Sequence, residues 1–217
     1  MQTAQWPELF DFDVFSDIWR RQGGIRGAAR AHADLRDRYA ESHRHHHTAR
    51  HVAECLAALR DVRPLLQRAD EAALALYFHD AVYEPARHDN ERRSADLFRR
   101  HAVAAGFEAS SIARVQALIL ATATHDTGAG DATMVCDVDL AVLGSTPERF
   151  AEFERDVRLE YARFPEAIYR AGRARVLRGF LTRKKIYGSL HFSHLEARAR
   201  LNLEAALSTL REGRSHA

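Results

Sequence analysis

The histidines of this 217-residue chain occur at spacings that could bind a metal ion. His47 and His51 belong to the sequence HHHTARH, and their four-residue spacing puts both imidazoles on one face of a helix. His79 follows a strongly apolar segment, and His125 ends the sequence LILATATH. A single buried histidine is more often a hydrogen-bonded core residue than a ligand, so the hypothesis depends on how these four combine.

Three aspartates accompany these histidines inside apolar sequence. Asp80 directly follows His79 in YFHDAVY, whereas Asp137 and Asp139 lie in CDVDLAVLG, where we expect them to begin a short helix. A carboxylate is almost never fully buried unless it is paired or bound to a metal, although one of the last two could simply cap that helix. Imidazole nitrogens with carboxylate oxygens suit a divalent first-row metal or Mg²⁺. Such an ion can polarise a phosphoryl oxygen and lower the pKa of a water.

The remaining sequence indicates the helices that must position these residues. Apolar residues recur at helical spacing in nearly every segment, and eleven glycines and five prolines leave little material for hairpin turns. Asp70 is the expected N-cap of the most apolar helix, and Thr146 that of a later one. Ser193 with Glu196 is the expected capping box of the last helix.

These patterns predict an all-α fold, a helical bundle of about nine or ten helices in one domain over residues 1–217. The metal-site core is expected at about 44–144, with C-terminal helices at 146–212 packed on it.

Composition limits the class of protein and its partners. The net charge of +2 comes from interspersed acids and bases, which gives no argument for a long nucleic acid as a partner. No apolar run approaches the ~20 residues of a membrane span, and the N-terminus lacks a basic region followed by an apolar one. Cys55 and Cys136 cannot form a disulfide framework. We expect a cytoplasmic protein without a membrane partner, and the oligomeric state stays open, with a homodimer as one alternative.

The order His, His-Asp, Asp on separate helices resembles the HD superfamily of metal-dependent phosphohydrolases. The sequence is most similar to a bacterial subgroup described as predicted metal-dependent HD phosphohydrolases, over most of the chain. The matching stretches are RHHHTARHVAECL (44–56), YFHDAVYEPARHDNERRSA (77–95), LILATATH (118–125), CDVDLAVLG (136–144) and the tail from RKKIYGSLHF to EARARLNLE (183–204). The resemblance implies an HD-type bundle.

The resemblance also implies which residues bind the metal. The four expected ligands are His51, His79, Asp80 and Asp139. Asp137 is the alternative to Asp139, and His125 is a candidate for a second metal. The expected cofactor is one or two divalent ions, with Mn, Mg, Fe, Zn, Co and Ni all open.

Further roles follow from the same resemblance. In cyclic-nucleotide phosphodiesterases, a related group, a histidine four residues before the first ligand protonates the leaving oxygen, and His47 has that offset; Thr48 replaces the asparagine that usually follows. Glu84 and Glu91 are expected to orient the water or the ligands. Phosphoryl transfer needs charge neutralisation, so Arg44 and Arg87 are the expected phosphate contacts.

The expected function is that of a hydrolase acting on a small phosphate ester, a phosphomonoester or phosphodiester that is nucleotide-like. Two alternatives stay open: a di-iron oxygenase of the HD type, and a non-catalytic module that binds a nucleotide. The tail residues Tyr187, Arg198 and Asn202 match the subgroup and are expected to anchor the last helix.

Overall fold

The computed structural model of the chain describes residues 10–126 and 129–212. Every regular element in these residues is a helix, and no strand occurs among them. The all-α prediction and the predicted number of helices are therefore confirmed. The α-helices are, in chain order, α1 (Phe12–Arg21), α2 (Ala28–Tyr39), α3 (Ala49–Val62), α4 (Ala69–Phe78), α5 (Asn90–Ala105), α6 (Ala109–Ala121), α7 (Asp131–Asp139), α8 (Pro147–Glu160), α9 (Glu166–Thr182) and α10 (Glu196–Glu212).

The helices form two compact units, of which the first ends at Asp139 and the second begins at Leu140. The first unit contains α1 to α7. The second contains a 3₁₀ helix at Leu140–Gly144, followed by α8, α9 and α10. The boundary falls near the end of the predicted metal-site core. In the described part of the chain, no helix combines the length and the apolar character of a membrane span.

Helix α4 lies at the centre of the first unit. Every residue from Ala72 to Phe78 is buried, and the helix packs against α1, α3, α5, α6 and α7. Aromatic rings of α1 enclose its C-terminal half: the ring centroids of Phe15 and Tyr77 are 5.0 Å apart, and those of Trp19 and Phe78 are 6.5 Å apart. Burial of each such side chain contributes on the order of 1.5–3 kcal/mol. A helix that is apolar on all sides is thereby fixed in place, together with the residues that follow it.

Two acidic residues in the first turn of α4 bind arginines from other elements. Asp70 accepts hydrogen bonds from Arg21 (2.7 Å) and Arg63 (2.8 Å), and Glu71 accepts three from Arg114, at 2.6, 2.8 and 3.1 Å. The predicted N-cap role of Asp70 is wrong, because the helix already begins at Ala69 and the Asp70 side chain is occupied by guanidinium groups. Both acids also lie favourably near the positive end of the helix.

Helix α7 ends at the two predicted aspartates, whereas the sequence predicted that they begin a helix. It begins at Asp131, whose carboxylate accepts the backbone N–H groups of Gln67 (2.9 Å) and Arg68 (2.8 Å). Asp137 and Asp139 therefore end this helix instead of beginning one, and the chain continues as the 3₁₀ helix Leu140–Gly144. The apolar residues that suggested a helix start belong to that continuation.

The two other predicted caps have different outcomes. Thr146 caps α8 as expected, because its side chain accepts a hydrogen bond from the first turn, with proline in the first helical position. The capping box of Ser193 and Glu196 is wrong: the Glu196 carboxylate instead accepts the backbone N–H groups of Ile186 (3.0 Å) and Tyr187 (3.2 Å). Glu196 thus fixes the loop that precedes α10.

The three tail residues all bind backbone carbonyls within residues 140–145. Tyr187 donates to the carbonyl of residue 140 at 3.1 Å, Asn202 donates to that of residue 143 at 2.8 Å, and Arg198 donates to that of Gly144. Gly144 is required there, because a Cβ at this position would lie 2.9 Å from the Tyr187 hydroxyl. These residues anchor α10 to the 3₁₀ helix, in agreement with the expectation.

Candidate metal centre

His51 lies in the first turn of α3 and is 3% exposed. Helix α3 packs against α4 and α7, which brings this imidazole to the C-terminal ends of both helices. The Nε2 atom of His51 is 3.2 Å from Nε2 of His79 and 3.0 Å from Oδ1 of Asp139. Three residues far apart in sequence thus meet at one point.

His79 caps the C-terminus of α4 and has one defined tautomer. Its Nδ1 atom is 2.8 Å from the carbonyl oxygen of Leu76. A carbonyl only accepts, so Nδ1 carries a proton and Nε2 of the neutral ring offers a lone pair to a cation. The carboxylate of Asp80 lies beside that atom, with Oδ2 2.9 Å from Nε2.

Asp139, the last residue of α7, contacts three imidazoles. Its Oδ1 atom is 3.0 Å from Nε2 of His51 and 3.4 Å from Nε2 of His79, and its Oδ2 atom is 2.8 Å from Nε2 of His125. The side chain is 13% exposed, so the carboxylate lies largely out of water. A buried carboxylate surrounded in this way is expected only with a positive partner.

His51, His79 and Asp139 form a group that could hold a metal ion. Each offers one ligand atom, and these atoms all lie within 4.8 Å of one another, which no other set of three achieves in the described residues. Asp80 is adjacent, since its Oδ2 atom is 3.8 Å from Nε2 of His51. Asp137 is buried one half-turn away and does not belong to the group, so the structure favours Asp139 over Asp137.

The electrostatics of the group fit a cation. Burial by itself lowers the pKa of His79, but the charges of Asp80 and Asp139 outweigh burial and raise that pKa well above its usual range. Burial by itself raises the pKa of Asp139, but the charge of His79 and hydrogen bonds from three imidazoles hold it well below its usual range. Positive charge is therefore stabilised at this point, whether a proton or a metal ion supplies it.

His125 reaches the group from a strained backbone. It is the one described non-glycine residue with positive φ (50°), and its N–H donates to the carbonyl of Ala121 at 3.0 Å. A non-glycine residue in this region costs on the order of 1 kcal/mol, which the surrounding structure must offset. The His125 imidazole is thereby in contact with Oδ2 of Asp139. In this position it could be a ligand of a second metal ion, or it could orient the Asp139 carboxylate.

His47 is half-buried and lies beside Asp80 and His51. Its ring stacks on Tyr83 with centroids 4.0 Å apart, and its ring centroid is 6.1 Å from that of His51. Burial raises the pKa of Asp80, whereas the charges of His79 and then of His47 lower it, with a net lowering. The structure thus brings His47 to the edge of the candidate metal group, where its charge acts on Asp80.

Arg44 does not have the position that a phosphate contact requires. Its side chain is completely buried, and its guanidinium donates to the Glu41 carboxylate (2.9 Å) and to the backbone carbonyls of His47 (3.1 Å), Asp80 (2.7 Å) and Ala81 (3.2 Å). With these donors occupied inside the protein, the predicted substrate role of Arg44 is corrected to a structural one. The side chain joins the segment before α3 to the segment after α4.

The structural role of Arg44 could not be predicted from the sequence. The arginine directly precedes the three histidines, but two of its acceptors are carbonyls more than thirty residues away, and no side-chain pattern marks a carbonyl as an acceptor. Two tyrosines pack on the guanidinium as well: its central carbon is 5.2 Å from the ring centroid of Tyr39 and 5.6 Å from that of Tyr83.

The loop after Asp80 is fixed by two polar residues of α5. The Ser94 hydroxyl accepts the N–H of Val82 at 2.9 Å, and the Asn90 side chain accepts the N–H of Glu84 at 3.2 Å and donates to its carbonyl at 3.0 Å. These contacts give a structural role to the DNE and SA parts of the sequence after the His-Asp pair. They hold the backbone of Glu84 in a defined place.

Glu84, Glu91 and Arg87 occupy the segment after Asp80 without joining the candidate metal group. Glu84 is half-buried, and Glu91 lies in the first turn of α5, where a negative charge is favourable. Arg87 is exposed and binds Asp89 through two hydrogen bonds, at 2.7 and 2.9 Å. Their predicted roles stay predictions.

Cys55 is close to the group but does not belong to it. Its sulfur lies 3.7 Å from Nε2 of His51. Burial, together with the charges of Asp139 and Asp80, raises the pKa of the Cys55 thiol well above its usual range. The group of possible ligands in the described residues consists of two imidazoles and a carboxylate, without this thiol.

Comparison of the chain with protein-family models, with curated proteins and with solved structures gives no match in any of the three. Function has to be inferred from the centre itself and from the order of its residues along the chain.

Proposed function

We propose that this protein is a metal-dependent phosphohydrolase of the HD type that acts on a small, nucleotide-like phosphate ester. The observation that carries the proposal is the group of His51, His79 and Asp139, with Asp80 beside it. These four residues occur in the order His, His-Asp, Asp, the order that resembles the HD superfamily. A half-buried histidine, His47, lies at the edge of this possible ion site.

His51, His79, Asp80 and Asp139 would hold the ion, one of Mn²⁺, Mg²⁺, Fe²⁺, Zn²⁺, Co²⁺ or Ni²⁺. Two carboxylates with two neutral imidazoles carry two negative charges, which a divalent ion balances in a largely buried place. When bound, such an ion neutralises charge on a phosphoryl oxygen and lowers the pKa of a water. Asp80 is assigned a second role as the group that orients the attacking water, with Glu84 and Glu91 behind it.

His47 is assigned the role of proton donor to the leaving oxygen. Its ring is held by stacking on Tyr83, and its charge lowers the pKa of Asp80. Partial exposure leaves the ring accessible to a substrate. A positioned acid of this kind contributes about 10²–10⁴-fold to rate.

A di-iron oxygenase is the second candidate, and the contact between His125 and Asp139 favours it. Oδ2 of Asp139 is 2.8 Å from Nε2 of His125, so these two residues could be among those that would hold a second ion. In the phosphohydrolase, His125 would instead orient Asp139 or complete a second divalent site.

The test is metal content per chain, together with phosphate release from a panel of nucleoside monophosphates, cyclic nucleotides and 4-nitrophenyl phosphate. The untagged protein is compared with Asp80→Ala and, as a control, with Asp96→Ala, which changes an exposed aspartate of α5. We expect one or two ions and metal-dependent turnover, both lost in Asp80→Ala alone. Turnover that Asp80→Ala retains in metal-free buffer would refute the proposal. Two irons with oxygen consumption would select the oxygenase, and nucleotide binding without turnover would indicate a non-catalytic module.

A further inference from the structure

The charge of the chain is divided unevenly between its two units. Residues 1–139 contain 17 Arg and Lys against 21 Asp and Glu, whereas residues 140–217 contain 15 against 9. The first unit therefore carries −4 and the second +6, although the whole chain carries only +2. The expectation that no nucleic acid binds was based on the whole-chain balance, which conceals this division.

The whole of the positive excess lies in residues 163–185, which we call the basic segment and which contain α9. This segment has eight Arg or Lys and one acid, a net charge of +7 over 23 residues. Some of these charges are balanced inside the second unit. Arg170 binds Glu166 at 2.6 Å, and Arg173 binds Glu154.

Four cations of the basic segment are exposed and form no ion pair with any residue that the structure describes. They are Arg175, Arg178, Lys184 and Lys185. The favourable effect of cations at the C-terminal end of a helix does not account for Arg175 and Arg178, because they lie before the last turn of α9. Four like charges within about ten residues repel one another, and a partner of opposite charge would relieve that repulsion.

Two glycines of α9 share a face with Arg175 and have no structural role in the described part of the chain. Gly172 and Gly179 are exposed, and a Cβ added at either would meet nothing within 4 Å. Glycine weakens a helix relative to alanine, yet neither packing nor positive φ requires it here. Positions without side chains beside unpaired arginines allow a partner to approach the helix backbone closely.

The chemistry of the segment favours a nucleic-acid duplex among polyanions. No aromatic side chain of residues 163–185 is exposed, which leaves no platform for stacking unpaired bases and no aromatic anchor for a protein partner. The exposed large apolar residues of α9 are Ile168 and Val176 alone, too few to insert a helix into a lipid surface. A duplex presents about one phosphate charge per 1.7 Å of its axis, which matches closely spaced cations.

We propose that the basic segment binds the phosphate backbone of double-stranded nucleic acid, through Arg175, Arg178, Lys184 and Lys185, without reading base sequence. The helix contacts the backbone at Gly172 and Gly179. The segment belongs to the second unit, and the proposal does not depend on the proposed phosphohydrolase activity.

The test is fluorescence anisotropy of the full chain with a labelled duplex of about 20 base pairs and mixed sequence, between about 50 and about 200 mM salt. Four phosphate contacts predict a slope of about −3 to −4 in a plot of log affinity against log salt. Arg175→Gln with Arg178→Gln should reduce the slope by about 2 and the affinity at the lowest salt by at least about tenfold. The absence of saturable duplex binding at that salt would overturn the proposal.

Matched variants separate local from general charge effects. Arg99→Gln with Arg100→Gln removes two exposed, unpaired arginines of α5 and should leave slope and affinity unchanged; an equal loss would overturn the assignment to the basic segment. Gly172→Leu with Gly179→Leu should keep the helical circular dichroism and the slope but lower the affinity about tenfold, because leucine side chains hold the duplex away. Unchanged affinity would overturn the close approach, and tighter binding to single strands or to vesicles with 30% phosphatidylserine would overturn the choice of partner.

Discussion

The Nε2 atoms of His51 and His79 lie 3.2 Å apart, although the residues belong to different helices. Nε2 of His51 is also 3.0 Å from a carboxylate oxygen of Asp139, and Nε2 of His79 is 2.9 Å from one of Asp80. Two imidazole lone pairs and two carboxylates cannot share such a space without a positive charge among them. A proton on His79 can satisfy this arrangement, because the two carboxylates raise the pKa of that imidazole well above its usual range, and a divalent ion satisfies it when the imidazoles are neutral.

Asp139→Asn is expected to abolish metal binding, while Asp137→Asn preserves it. The first substitution removes a carboxylate that contacts both imidazoles, and the second alters a buried aspartate of the same helix outside the group. The expected loss of affinity for Asp139→Asn exceeds about 100-fold, because even residues behind a ligand are worth about 10–100-fold. Calorimetric titration with Mn²⁺ measures it. Equal losses in the two variants would contradict the choice of Asp139.

His47→Asn is expected to slow cleavage of esters with poor leaving groups by about 10²–10⁴-fold. Hydrolysis of 4-nitrophenyl phosphate should fall less than about tenfold, since that leaving group needs little protonation. Metal content should not change. The control is His45→Asn, an exposed neighbour. A uniform loss over all leaving groups would argue that His47 is not the acid.

Arg44→Lys is expected to lower the free energy of unfolding by about 2–4 kcal/mol. Lysine keeps the charge but cannot reach the Glu41 carboxylate and three carbonyls at once, so buried acceptors lose their donors. Because these carbonyls belong to the segments of His47 and Asp80, metal affinity should fall as well. Urea unfolding measures the stability. Arg50→Lys changes an exposed arginine paired with Glu54 and should stay within about 0.5 kcal/mol of the wild type.

Asp70→Asn is expected to make the free energy of unfolding depend less steeply on pH at acidic pH. Burial raises the pKa of Asp70, but hydrogen bonds from Arg21 and Arg63 outweigh it, so the pKa is lowered in the folded protein. A lowered carboxyl pKa stabilises the fold above the unfolded value of about 4 and loses that effect as the pH falls through the folded value. The wild type should therefore lose its advantage over Asp70→Asn, not more than about 1 kcal/mol at pH 7, as the pH falls below about 4. Urea unfolding at each pH measures this difference. A difference in the free energy of unfolding that does not change with pH would contradict the lowered pKa of Asp70.

Gly144→Ala and Gly172→Ala are expected to have opposite effects on stability. A Cβ at position 144 would lie 2.6 Å from Cβ of Leu195, so alanine must displace either Leu195, which directly precedes α10, or residues 140–144, at about 1–3 kcal/mol. At position 172 the space is open, and alanine should stabilise α9 by about 0.5–1 kcal/mol. Thermal unfolding compares them. A stable Gly144→Ala variant would mean that the tail residues do not hold this segment tightly.

The sequence predicted the helices well and their ends less well. Thr146 is a correct cap because its cue is local, a hydroxyl three residues before the N–H that it binds. Asp70 and Glu196 were assigned as caps on equally local grounds, but arginines and loop amides from elsewhere in the chain occupy their carboxylates. An acidic side chain at a helix start has several possible partners, and only the packed structure decides among them.

Chemistry and periodicity, read from the sequence alone, determined the all-α class and the small set of histidines and aspartates from which a metal centre could be built. The tertiary structure decided which of them meet. It chose Asp139 over Asp137 because the C-terminal end of α7 packs beside α3 and α4, and it brought His125 to Asp139 through one strained residue. It also buried Arg44, which sequence alone could only place near the histidines. The physical reason is that helical spacing fixes neighbours within about one turn, whereas a site made from three helices depends on how their buried faces pack.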